Sequence, residues 1–476
     1  MERKINRQEF KKKSLLFLLL FMFLFAAAWY FVIQYVGNKN KDDYVVPEFV
    51  MHNGQWADSL LATLTLNEKI AQLIVWETNN LNNEDEIVTL LTNNNFGGII
   101  FSTDSLEKFV ACSNKFRAAT KIPVFLAPQN FSGDTLFIDV PAAPNVLQIT
   151  ANRNDSIFLK YAEIVCEQTK SLGANYQFSN LFSTLLLDKE YSREHEEILM
   201  QKAIIQNNEA IKKNILLCFQ NFNRYTIFPN DSANNYRTLE FYKLLTVNKI
   251  QSIQLSINNS EDLNQLNSLR NEANFLGLII ADIEDENSVN EDFIKQTLLN
   301  GAALIRTSKP KEVYDIVVKL VESKAIDIKL IDAKVKRILQ AKKWTNSFQP
   351  QLLQINETKE IFHQQRTQYY FQQLLINSLS IIGVDTILPI KKLFNTKIGI
   401  LFFSEKKLSA FQENCELYAN ITSELATNCK ELEMKAKRFA AAPFVIVVIN
   451  KEADSDSATL AVENAINELK KKAKFC

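Results

Sequence analysis

The sequence predicts an α/β protein: a (β/α)8, TIM-like barrel followed by a partial α/β sandwich domain, with an N-terminal transmembrane helix. Three observations carry that reading. Eight short apolar runs alternate with helix-length segments, a new set of apolar runs starts beyond residue 346, and a basic N-terminus precedes an uncharged apolar stretch. The boundaries that follow are a basic cytoplasmic segment over 1–14, a transmembrane helix or signal anchor over 15–36, a linker over 37–55, the barrel over 56–346 and the second domain over 347–476.

Arg3, Lys4, Arg7, Lys11, Lys12 and Lys13 lead into the apolar run from Leu15 to Ile33, 19 residues long. About 20 apolar residues cross a bilayer as a helix, and a basic flank stays in the cytoplasm. Ala26-Ala27-Ala28 offers a signal-peptidase site, but the apolar run continues through Trp29 to Val36, which favours an uncleaved anchor. The expected location is thus the bacterial inner membrane, single-pass, with the bulk in the periplasm; the alternative is an exported soluble protein. Gly37 to Asp43 is polar and unpatterned, as a juxtamembrane linker is.

Thr65-Leu66-Asn67-Glu68 is a capping box that opens the first helix of the folded part. The eight runs follow: Gln72 to Trp76, Gly97 to Phe101, Pro123 to Ala127, Ala174 to Phe178, Ile215 to Phe219, Ser252 to Ile257, Gly277 to Ile283, and Ala302 to Arg306. Runs apolar throughout are covered on both faces, and helix-length crossovers make their pairing parallel, which is the pattern of a barrel. The helix from Asp332 to Trp344 closes it. Beyond it come a helix around Gln365 to Asn377 and strands at Leu379 to Val384, Lys397 to Phe403 and Phe444 to Ile449. A last helix, Thr459 to Lys472, would feed a further strand, and the sequence stops instead at Cys476, which leaves two expectations, an abbreviated second domain or a cut reading frame.

Composition narrows the function classes. Lys+Arg and Asp+Glu both number 54, which leaves no field to gather nucleic acid, and no nucleic-acid partner is expected. Six scattered cysteines without a CxxC pair argue for buried or free thiols rather than a disulfide framework or zinc site. His52, His195 and His363 are too far apart in sequence to suggest a metal cluster, and neither metal nor cofactor is expected. The 10 glycines are few for building loops that bend around a ligand. The carboxylates Asp282, Glu284, Asp285 and Glu286 lack EF-hand spacing and read as a solvated charge run.

Four segments, in this order, resemble glycoside hydrolase family 3, in particular its exported bacterial β-N-acetylhexosaminidase-like members: Leu64 to Leu73, Gly97-Gly98-Ile99-Ile100-Phe101, Leu276 to Asp282, and Asp332 to Trp344. Asn377-Ser378-Leu379 through Lys391 resembles the start of that family's second domain. The resemblance implies retaining hydrolysis, in which a carboxylate at the end of the seventh strand attacks the anomeric carbon and a second group protonates the leaving oxygen. Asp282 stands at the nucleophile position. An Asp at a strand end is equally suited to capping a turn.

The other matched positions depart from the family pattern. After the fifth strand such enzymes carry Lys-His-Phe-Pro-Gly-His-Gly and then an Asp-Ser-His dyad whose histidine is the acid/base. Here Gln220 and Asn221 fall on the Lys-His pair, and Asp231-Ser232-Ala233 on the dyad, so alanine replaces the proton donor and Asp231 has no imidazole to orient. After the third strand Pro128 stands where an aspartate grips sugar hydroxyls. Each lost charge-assisted hydrogen bond removes about 1.5–3 kcal/mol. The expectation is a degenerate hydrolase, catalytically silent, serving as an interaction or structural module of the cell envelope with an envelope protein as partner. The alternative is a residual β-N-acetylhexosaminidase acting on amino-sugar glycans derived from peptidoglycan.

Overall fold

The computed structural model describes residues 46–469, apart from 53, 79–80, 82–83, 130–136, 183–192, 221–231, 284–288, 349–350, 380–392, 405–408, 440–441, 443, 451–461 and 468. The chain divides into two compact units between Leu379 and Ser380. The expected membrane segment lies outside the described residues, and none of the described helices is long and apolar enough to cross a bilayer.

The first unit begins with the capping box. The Thr65 hydroxyl accepts from the Glu68 amide at 3.2 Å, and the Glu68 carboxylate accepts from the Thr65 amide at 2.9 Å, which satisfies two of the donors a helix start leaves open. Eight strands follow: β1 (Ile74–Thr78), β2 (Gly98–Phe101), β3 (Phe125–Pro128), β4 (Tyr176–Ser179), β5 (Leu216–Phe219), β6 (Ser252–Ser256), β7 (Leu278–Asp282) and β8 (Leu304–Thr307). They form one parallel sheet in the order β3-β2-β1-β8-β7-β6-β5-β4. Pairing of β1 with β8, Ile74 opposite Ile305, wraps the chain's first strand onto its last and makes the sheet a nearly closed barrel.

The seam is between β3 and β4, and there Asn175 stands in for a ladder. Its backbone N–H donates to Leu126 O at 3.2 Å, its side-chain oxygen accepts from the Leu126 amide at 2.8 Å, and its amide nitrogen donates to Val124 O at 3.2 Å. Glycine precedes β2 for a steric reason. A Cβ on Gly97 would lie 2.0 Å from the carbonyl oxygen of Gln72, so only glycine lets the two backbones approach this closely. The strands are buried because helices such as Leu106–Ala119, Asp155–Ser171 and Ile328–Trp344 cover them, their apolar stripes forming one core with residues such as Phe109, Tyr161, Val335 and Ile338.

The sequence puts the domain boundary at 346/347, whereas the contacts put it at 379/380. The helices Ile355–His363 and Gln365–Ser378 account for the difference: Phe362 meets Phe137 at 6.1 Å, Phe371 meets Tyr161 at 5.9 Å, and the Thr358 hydroxyl donates to Ser171 O at 2.9 Å. Both helices belong to the barrel's core.

In the second unit β9 (Lys397–Ser404) lies between β10 (Asn420–Ala426) and β11 (Phe444–Asn450), all parallel. Leu401 and Phe403 of β9 pack with Leu432, Ala436 and Phe439 of the helix Cys429–Phe439. Of the expected strands here, residues 380–384 fall outside the described residues, while β10 was not anticipated. Within the expected last helix, residues 462–467 are helical.

Candidate functional site

The C-terminal ends of the strands bring together a polar cluster in a barrel that is otherwise apolar. Asp282, last residue of the fully buried β7, is 2% exposed. Its Oδ2 accepts from Gln254 Nε2 of β6 at 2.7 Å, and Arg306 Nη1 of β8 lies 3.6 Å from the same oxygen. Sheet register explains the meeting, since Asp282 is directly opposite Arg306 on one side and Ser256, two residues beyond Gln254, on the other.

Arg306 is the hub. Its Nε and Nη2 donate to the two oxygens of Glu77 on β1 at 2.8 and 2.6 Å, a bidentate fork, while Nη1 donates to Gln254 Oε1 at 2.9 Å. The guanidinium carbon sits 5.7 Å from the ring centre of Phe178 on β4. Gln129, just past β3, donates to Glu77 Oε1 at 2.8 Å, and Gln220, just past β5, donates to Gln254 Oε1 at 3.3 Å. Residues on or next to seven strands therefore converge here.

The electrostatics favour keeping this cluster charged and static. Burial works against the charge on Arg306, but Asp282 and Glu77 outweigh it and hold the guanidinium's pKa above its ordinary value. Below it, burial pushes the Cys218 thiol up to about 12, so it is no thiolate nucleophile. Tyr176, its pKa raised by burial, shares a 2.6 Å hydrogen bond with Ser252. Both oxygens of Glu77 accept from Arg306, so the fork and the Gln254 bridge tie the two carboxylates of the cluster to one guanidinium.

Of the residues singled out in the sequence, Asp282 and Gln220 enter the cluster. Pro128 is the buried last residue of β3, and it is its neighbour Gln129 that reaches the cluster. Asn221 and Asp231 lie outside the described residues, as do Glu284, Asp285 and Glu286; Ala233 falls in the first turn of the helix Ser232–Val247. Among the described residues no group of three or more His, Cys, Asp or Glu side chains is arranged to hold a metal ion, and His363 instead meets Asp139 O at 3.1 Å. Cys112, Cys166 and Cys218 are buried free thiols.

Glu77, Gln254 and Arg306 went unnoticed in the sequence. A signal existed, since opposite charges close the first and eighth apolar runs, which are neighbours in any closed eight-stranded barrel.

No family model matches the chain, and no curated protein sequence matches it. Solved structures do. The chain superposes on a β-glucoside phosphorylase, BglX, with a TM-score of 0.69 at 13% identity, covering 87% of this chain and 85% of that one. It superposes on a family 3 β-N-acetylglucosaminidase from Paenibacillus sp. str. FPU-7 with a TM-score of 0.68 at 15% identity, covering 85% and 88%. The fold is that of the family 3 glycoside hydrolases. An exo-1,3/1,4-β-glucanase from a Pseudoalteromonas species matches with a TM-score of 0.65 at 14% identity, over 87% of this chain and 62% of that one. Sequence identities this low carry the fold and leave the chemistry to this chain's own residues.

Proposed function

We propose that this protein is a family 3 glycoside hydrolase-like scaffold without catalysis, anchored in a bacterial inner membrane by residues 15–36, its barrel serving in the periplasm as an interaction or structural module. The observation that carries this reading is the commitment of Asp282. A nucleophile must approach an anomeric carbon with an open oxygen, and Asp282 is 2% exposed, its Oδ2 accepting from Gln254 and facing Arg306. A retaining enzyme also sets an acid about 5–5.5 Å across the scissile bond. Ala233 stands at the matched donor position, and the neighbouring carboxylate, Glu77, is spent on Arg306.

The retained carboxylate favours one second reading. Asp282 at the end of β7 is where barrel enzymes place chemistry, which keeps a residual β-N-acetylhexosaminidase on amino-sugar glycans as the alternative. One assay separates the two. The full-length protein in detergent is expected to give no turnover of aryl β-N-acetylglucosaminides with poor leaving groups, which need protonation. Weak turnover confined to activated aryl leaving groups would point to a surviving nucleophile without a donor. Robust turnover of both, abolished by Asp282→Asn, overturns the silent reading.

A further inference from the structure

At the opposite end of the barrel, between the entries to β3 and β4, lies a cavity of about 460 Å³. That volume suits a small metabolite. Its lining includes Arg117, Thr120, Lys121, Lys170, Asn175 and Ser347, and no carboxylate is among the described residues around it. Lys121 is largely exposed and pairs with Glu68 at 3.3 Å, so the charge facing the cavity comes from Arg117 and Lys170.

Three other buried cations at this end of the barrel are bonded to protein oxygens. Arg270 spends its donors on the carbonyls of Phe275, Gly277 and Gly301, Lys334 on that of Ala302, and Lys342 on the side-chain oxygen of Gln72. Arg117, in contrast, has a buried Nη1 with no hydrogen-bond partner among the described residues, and the buried hydroxyl of Thr120 one turn further on is in the same condition. Lys170 has one backbone acceptor, Asn214 O at 3.3 Å. Burial alone pulls the pKa of Arg117 below its ordinary value, and burial is the main cause of the same shift in Lys170; no carboxylate contributes to either. A partly desolvated cation gains when a ligand supplies an acceptor.

We infer that this cavity binds a small oxyanion of the phosphate type, free or as the head of a sugar-sized molecule, with the Arg117 guanidinium and the Lys170 ammonium as donors. The glycine at the cavity wall fits that role. Gly173 is left-handed, φ +68°, and a Cβ there would lie 2.6 Å from Arg117 Nη1 and 2.7 Å from Leu353 Cδ1, so glycine lets the guanidinium pack close against the backbone of this wall. Arginine and lysine are the usual partners of such groups, the first by its planar fork and the second as a point charge. The proposal is independent of whether the C-terminal face is catalytic.

Calorimetric titration of the full-length protein in detergent tests it, with inorganic phosphate, glucose 6-phosphate and glucose as probes at constant ionic strength. Saturable binding of phosphate or glucose 6-phosphate is expected, with no binding of glucose. Arg117→Gln and Lys170→Gln, each checked for folding by circular dichroism, are expected to weaken binding at least tenfold. Equal affinity for the two anions would identify free phosphate as the ligand, and a preference for glucose 6-phosphate a phosphorylated small molecule. Absence of saturable binding of both anions, binding of glucose as tight as that of its phosphate, or binding unchanged in a folded Arg117→Gln or Lys170→Gln variant would overturn the assignment.

Discussion

Arg306 links the buried Asp282 and the half-buried Glu77 through one guanidinium, and its removal would leave the two carboxylates without compensation for their charge. Breaking such a buried pair from one side costs about 3–5 kcal/mol. Arg306→Leu is therefore expected to lower the unfolding free energy by about that amount in urea titration, and Arg306→Lys by less, since an ammonium keeps the charge but cannot form the fork to Glu77. A loss below about 1 kcal/mol for Arg306→Leu, within the range of an exposed pair, would mean that the network is solvated and Asp282 accessible. Asp282 itself was legible through the family resemblance, which puts it at the nucleophile position near the end of the seventh run. Arg306 ended a run too, but a charge in a strand declares its partner only when register is known, and register is a property of the closed sheet.

Elements were legible where both faces are covered. All eight barrel runs became strands, with ends shifted by one or two residues, and the amides of Gln72, Ala174 and Ala302 bond back to the helices before them rather than into the sheet. β10 escaped notice because it is half-exposed, and Asn-Ile-Thr-Ser-Glu-Leu-Ala holds no apolar run. The helix Gln365–Ser378 matches the one expected around Gln365 to Asn377, Ile355–His363 is an addition to it, and both fall in the first unit rather than the second, since an amphipathic stripe does not name the surface it covers. The β3–β4 seam gives the element-scale prediction. Asn175→Ala would remove the acceptor of the buried Leu126 amide, along with donors to Val124 O and to Ser347 Oγ at 2.6 Å. An orphaned buried amide costs about 1–3 kcal/mol. The variant is expected to be destabilised by about that much, with hydrogen exchange accelerated at Leu126 and unaltered at Ile280 of β7. Uniform acceleration across the sheet would show that Asn175 supports the whole barrel rather than its seam.

For the whole molecule, barrel and second sheet were readable because order and spacing of apolar runs survive when site residues change: packing tolerates substitution that keeps volume, while chemistry does not. That asymmetry is why a fold shared with family 3 enzymes is compatible with alanine at position 233 and with a carboxylate at position 282 tied into a salt-bridged cluster. The scaffold proposed above, without catalysis, would act by where it is held and what it touches, so the N-terminus bears on that proposal. Leu15 to Ile33 contains no charge across 19 residues and follows six basic residues, and the apolar stretch runs beyond the alanines at 26–28. A cleaved signal usually ends its apolar region before the small-residue site, within about 7–15 residues. The protein is expected to remain with the membrane fraction through a high-salt wash, to be released by detergent, and to yield Met1 on N-terminal sequencing. A mature chain beginning at Trp29 that leaves the membrane in salt would replace the anchored scaffold with a soluble periplasmic protein.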